Sequence, residues 1–115
     1  MTRVPLSVLF MVAGTALADP EAGVNAISDL GRINGEALAC EQMGVASQAK
    51  AMMIRHAPKT RVYGELFEQQ TNDAFLMQGR NPEPCPTTDS FISRLRQLST
   101  RLQAVLPAPA SPVDR

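Results

Sequence analysis

Apolar residues recur along this chain at intervals of three and four, and this period constrains the fold more than any other feature of the sequence. It is clearest between residues 91 and 105, where the apolar residues step by four, three, four and three. Such a stripe forms one face of an α-helix, for which Thr88 or Asp89 is the predicted N-cap. Because the stripe lasts only about two heptads, it indicates a seam inside a helical bundle rather than an independent coiled coil. Its members are Phe91, Leu95, Leu98, Leu102 and Val105.

Three earlier segments of the chain show the same period. The first is predicted to begin a helix at residues 19–21, because Asp-Pro-Glu is typical of a helix start. It is predicted to run to about Cys40. Gly31 and Gly35 lie four apart on one face of it, so we expect another helix to approach closely there; a break into two short helices is the alternative. Asn34 falls near the apolar stripe and is expected at its edge. The alternative is a buried Asn34, whose amide would need a hydrogen-bond partner.

Two further helices are predicted between residues 45 and 79. The earlier one ends at His56, because Pro58 disfavours helical backbone in the residue before it. The later one follows Thr60 as its N-cap and ends at Gly79, which is expected to take the left-handed conformation that closes many helices. No segment alternates apolar and polar residues as a strand would. The predicted fold is therefore all-α, a small four-helix bundle or an orthogonal helical array.

Residues 1–18 carry the three parts of a cleaved secretory signal peptide: a cationic start at Arg3, an apolar stretch, and an Ala-Leu-Ala cleavage site. The apolar run is interrupted by Pro5 and Gly14 and is shorter than the roughly 20 residues that span a bilayer. The expected organisation is a signal peptide at 1–18, one helical domain at 19–106, and a disordered Pro/Ala-rich tail at 107–115. The mature protein is expected to be periplasmic or secreted, without a stable membrane span.

Export decides how the two cysteines are interpreted. Cysteines in an oxidising compartment pair more often than they stay free, so Cys40 and Cys85 are predicted to form a disulfide. Closing a loop of this size stabilises a folded domain by about 4 kcal/mol in the loop-entropy model. The bridge is therefore expected to supply much of the stability of a domain this small.

The charge balance excludes one class of partner. Removing residues 1–18 takes away only Arg3 among the charged residues, which leaves ten basic against eleven acidic side chains. General nucleic-acid binding requires a strongly basic surface. The expected partner is instead another exported or envelope protein.

No catalytic pattern is present. The chain has a single histidine, and neither a nucleophile motif nor a phosphate-binding loop occurs. The sequence therefore predicts a protein that is not an enzyme and that needs no cofactor.

A metal site is the alternative from a different functional class. Met52, Met53 and His56 share a helix face at spacings of three and four, and thioether with imidazole suits Cu(I). Methionines at helical spacing are more often core residues, and no second histidine reinforces the set. The alternative function is a periplasmic protein that handles copper or another soft metal.

Recognition of a protein is the preferred hypothesis. Four cationic residues lie within twelve positions around Pro58, next to the only tyrosine, and such clusters steer a protein toward an acidic surface. The predicted function is a small exported binding protein of the inhibitor, immunity or assembly-factor type. Its predicted contact residues are Lys50, Arg55, Lys59, Arg61 and Tyr63.

Overall fold

The computed structural model describes residues 19–81 and 83–109, which form four α-helices with short connections. The helices are α1 (Pro20–Ala39), α2 (Met43–His56), α3 (Arg61–Arg80) and α4 (Thr88–Val105). The predicted all-α fold is confirmed, and no strand occurs in the described residues. None of these four helices has both the length and the apolar content needed to cross a membrane. The predicted signal peptide at 1–18 and residues 110–115 of the predicted tail lie outside the described part.

α1 is the central helix, and the other three pack around it. α2 and α4 cover one side of α1 and also contact each other, whereas α3 packs on α1 with no comparable contact to α2 or α4 in the described residues. Most of the buried apolar side chains therefore come from α1, α2 and α4. They are Ala26, Ile27, Leu30, Ile33, Ala37, Val45, Ala46, Ala49, Phe91, Leu95, Leu98 and Leu102.

The close approach predicted at the two glycines of α1 is confirmed. A Cβ added to Gly35 would lie 2.1 Å from the carbonyl oxygen of Thr71, and one added to Gly31 would lie 2.8 Å from that of Phe67. α1 is unbroken through both positions. Since position 31 meets 67 and position 35 meets 71, α1 and α3 run in the same direction, with their backbones closer than any side chain would allow.

Asn34 is buried, so its expected place at the edge of the stripe is wrong. Only 4% of the surface of Asn34 is exposed. Its Nδ2 donates to Oγ1 of Thr71 over 3.1 Å, and the Thr71 hydroxyl in turn donates to the carbonyl oxygen of Gly31 over 3.2 Å. α3 covers this flank of α1 and supplies the hydrogen-bond partner that a buried amide needs.

α4 runs antiparallel to α1, and ion pairs mark the register. Arg94 pairs with Glu36, and Arg101 pairs with Asp29 at 2.6 Å. Arg32 adds a longer contact of 3.6 Å to the same Asp29 carboxylate. These side chains are partly exposed, so each pair contributes at most about 1 kcal/mol, and the apolar seam beneath them carries most of the stability.

The N-caps follow the sequence closely. Asp19 accepts a hydrogen bond from the Glu21 amide, and Thr60 caps α3, both as predicted. α4 starts at Thr88, and its N-cap is Thr87, one residue before Thr88 and two before Asp89, the two predicted caps. The Thr87 hydroxyl accepts from the Ser90 amide. The side chains of Thr87, Thr88 and Asp89 are all of the types that cap helices, so the sequence did not show which of them is the cap.

The predicted end of the third helix is wrong. α3 continues through Gly79 to Arg80, and Asn81 is extended; no described glycine has a positive φ. The residue that follows is Pro82, which favours extended backbone before it. The left-handed residue is instead Glu41, at φ 57°, just after α1.

Cys40 and Cys85 form the predicted disulfide, with a Cα–Cα distance of 5.8 Å. The bond joins the residue after α1 to the proline-rich connection between α3 and α4. It therefore ties the central helix to a segment that no helical hydrogen bond holds.

Candidate functional site

The last turn of α2, the connection after it and the start of α3, residues 54–62, are together named here the α2–α3 corner. It carries three of the predicted cationic contact residues, Arg55, Lys59 and Arg61, all exposed. Two large apolar side chains accompany them: Ile54 is 63% exposed and Val62 is 66% exposed. The corner thus combines positive charge with apolar surface that no described residue covers.

Local contacts leave much of this charge available. The Nζ of Lys59 donates to the carbonyl oxygen of Ile54, where it stabilises the last turn of α2. Arg61 forms a loose pair with Glu65 at 3.8 Å, and an exposed pair of this kind contributes little. Arg55 forms no ion pair with any described residue. An acidic partner surface would therefore meet Arg55 and Arg61 with little competition.

The other two predicted contact residues lie in different surroundings. Lys50 and Arg55 line grooves on opposite sides of α2, the first toward α3 and the second toward α4. Tyr63 is half-buried: its hydroxyl oxygen lies 2.9 Å from where a Cβ on Gly23 would stand. Tyr63 therefore packs against the start of α1, and the predicted contact residues within the corner are Arg55, Lys59 and Arg61.

The residues of the alternative metal site are mainly internal. His56 is 6% exposed, and its Nδ1 lies 2.8 Å from the carbonyl oxygen of Leu106. A carbonyl can only accept, so Nδ1 carries the proton and Nε2 is the ring nitrogen left for a metal. Met52 and Met53 are half-buried against the core.

No group of three His, Cys, Asp or Glu side chains suited to a metal occurs in the part of the chain that the structure describes. The contact from His56 to Leu106 also gives the histidine a structural role, because it joins the ends of α2 and α4. The metal site stays a prediction.

A groove lies between α2 and α3, and we name it the α1–α2–α3 groove. The groove exists because α3 packs mainly against α1, and its volume is about 370 Å³. Buried Asn34 and Phe67 form its floor, while exposed Lys50, Glu68 and Phe75 stand at its edges. Sequence reasoning did not identify it, since the separation of α2 from α3 is a property of packing. Its lining residues are Asn34, Leu38, Lys50, Phe67, Glu68, Thr71, Asn72 and Phe75.

The far end of α3 carries further uncovered apolar side chains. Phe75, Leu76 and Met77 are consecutive and are all more than 40% exposed. Phe75 borders the α1–α2–α3 groove, whereas Leu76 and Met77 lie toward another side of the helix. Leu76 and Met77 therefore leave apolar surface exposed on a side of α3 away from the groove.

The chain matches no known family model, no curated protein and no solved structure with which it was compared. The function is therefore argued from the geometry of the described residues.

Proposed function

We propose that this protein is an exported accessory protein that binds another exported or envelope protein, and that it acts by contact and not by catalysis. The observation that carries the proposal is the α2–α3 corner, where Ile54 and Val62 are exposed among cationic side chains. Burying such apolar surface against a partner would favour association, and the surrounding charges would give it specificity. Inhibitors, immunity proteins and assembly factors all work through a surface of this kind.

The charge of the corner indicates the chemistry of the partner. Arg55, Lys59 and Arg61 are opposed nearby by Glu65, so the corner is locally positive although the whole chain is close to neutral. A local field of this kind speeds encounter with an acidic surface and is screened by salt. The expected partner therefore presents carboxylates around an apolar centre.

Affinity capture from the cell envelope tests the proposal. The bait is the full chain in its mature form, compared with an Arg55→Glu/Arg61→Glu variant. An Arg32→Glu/Arg80→Glu variant is the matched control, because it makes the same change in charge at exposed positions that do not line the groove beside Arg55. Thermal unfolding of all three baits checks that each is folded.

The expected result is a specific protein captured by the original and control baits and lost from the corner variant. Its capture should weaken as salt is raised. Equal capture by all three folded baits would show that the corner is not the contact surface, and no capture by any bait would contradict the binding function.

A further inference from the structure

The α1–α2–α3 groove contains one polar group whose orientation is determined by its neighbours. The Thr71 hydroxyl uses its proton toward the carbonyl oxygen of Gly31, so toward Asn34 it can only accept. The side of the Asn34 amide that faces Thr71 must therefore be the NH₂ group. The carboxamide oxygen of Asn34 is consequently turned away from Thr71.

That oxygen has no hydrogen-bond donor among residues 19–81 and 83–109. No described residue donates a hydrogen bond to it, and no fully buried polar atom is left unpaired in the described part of the chain. It therefore reaches solvent, although Asn34 is 4% exposed overall, and the groove is the opening that Asn34 lines. A molecule that filled the groove without offering a donor would remove water from this oxygen and leave it unpaired, which is costly.

The rest of the groove sets the size and character of an occupant. Leu38, Phe67 and Phe75 supply apolar and aromatic walls. A groove of about 370 Å³ has room for one large side chain.

The edges of the groove carry opposite charges. Lys50 stands on α2 and Glu68 on α3, and they form no ion pair with each other in the described structure. Both remain available to polar groups that flank an inserted side chain. This arrangement of apolar walls, one unpaired acceptor and a charged rim is the usual composition of an interface pocket.

We propose that the α1–α2–α3 groove receives one aromatic side chain that carries a hydrogen-bond donor, tryptophan or tyrosine, from the bound partner protein. The inference rests on the proposed binding function and names the anchor that the partner supplies. Tryptophan fits best, because its indole is large, apolar and donates a single N–H without accepting. Aromatic anchors in such pockets contribute a large share of binding at many interfaces.

Because the chain contains no tryptophan, an added indole can be observed without background. N-acetyl-tryptophanamide is titrated with the protein, and its fluorescence should shift to the blue and saturate, with a dissociation constant of about 0.1 to 1 mM. The analogue methylated on the indole nitrogen lacks the donor and should bind about fivefold more weakly. N-acetyl-phenylalaninamide should compete as weakly as the methylated analogue.

Two neighbouring residues provide a matched pair of variants. Phe75 and Leu76 are 45% and 42% exposed, but only Phe75 lines the groove. Phe75→Ala should abolish saturable binding of the amide, whereas Leu76→Ala should leave it unchanged. Thermal unfolding of both variants checks that the fold is retained.

Two results would overturn the inference: equal affinity for the amide and its methylated analogue, or equal binding by the Phe75→Ala and Leu76→Ala variants. The capture experiment separates this failure from that of the proposed function. If a Phe75→Ala bait captures the partner as well as the original protein does, the groove does not hold the partner's anchor, and the proposed binding function is unaffected. If no bait captures a protein although the original protein still binds N-acetyl-tryptophanamide, the proposed binding function is contradicted.

Discussion

The two sides of α1 are packed by opposite means. Toward α2 and α4 it presents branched side chains such as Ile27 and Leu30, which are fully buried against large residues of the neighbouring helices. Toward α3 it presents Gly31, Gly35 and the amide of Asn34, and the approaching backbone occupies the space that side chains would need. Stability on the first side depends on side chains that fill the interface, whereas on the second it depends on the absence of side chains where the α3 backbone packs.

This difference also determines where binding surface is available. α2 and α4 contact α1 and each other, so their apolar residues are largely covered. α3 has one principal neighbour, and the close backbone contact uses only a narrow strip of it. Its remaining faces border the α1–α2–α3 groove and carry four of the six exposed large apolar residues in the described structure, namely Val62, Phe75, Leu76 and Met77.

The largest expected effect tests the side of α1 that packs through large side chains against α2 and α4. Phe91 is fully buried, so Phe91→Ala should leave a cavity and lower the free energy of unfolding by about 3 to 5 kcal/mol. Urea denaturation measures this change. Phe75→Ala removes the same atoms at a position 45% exposed and should cost much less. Equal losses for the two variants would contradict the distinction between covered and uncovered faces.

The next effect tests the side of α1 where the α3 backbone packs against glycines. A methyl group at Gly35 would meet the Thr71 carbonyl oxygen, so Gly35→Ala should force α1 and α3 apart and cost about 2 to 3 kcal/mol. Gly64→Ala is the control, because a Cβ there meets nothing within 4 Å. In that variant the free energy of unfolding should rise by about 0.5 to 1 kcal/mol, because alanine has a higher helix propensity than glycine. A stabilising Gly35→Ala would show that the close approach is absent.

A smaller effect tests the polar contact between α1 and α3. Thr71→Val keeps the shape of the side chain but removes the acceptor for the Asn34 amide, and should lower the free energy of unfolding by about 1 to 2 kcal/mol. Thr100→Val is the matched control, because its exposed hydroxyl bonds only to the backbone of its own helix. Chemical denaturation of both should show a loss below about 0.5 kcal/mol for the control.

The smallest effect concerns the charges between α1 and α4. Asp29→Asn should lower the free energy of unfolding by about 0.5 to 1 kcal/mol at low salt, because it weakens the contact with Arg101. The difference should shrink in 0.5 M NaCl as the pair is screened. A loss above 2 kcal/mol would mean that α4 is held by charge as much as by its apolar seam.

Local features were predictable because they depend on neighbouring residues in the chain. The period of the apolar residues determines four helices, and Asp19 and Thr60 act as caps through their own side chains. The pairing of Cys40 with Cys85 followed from the compartment that the first eighteen residues predict. Even the close approach at Gly31 and Gly35 could be predicted, since spacing alone places both on one face.

The arrangement of the helices, and with it the candidate site, was decided by tertiary structure. The sequence of α1 cannot show that α3 would cover Asn34 and supply Thr71 as its partner. Nor can the run of charges around Pro58 show that Lys50 and Arg55 line grooves on opposite sides of α2. A groove is the space that two helices leave between them, so it depends on where both pack against a third. The sequence by itself determined which segments are helical and how they begin, because those energies are local. Which faces stay uncovered is a property of the whole assembly of helices.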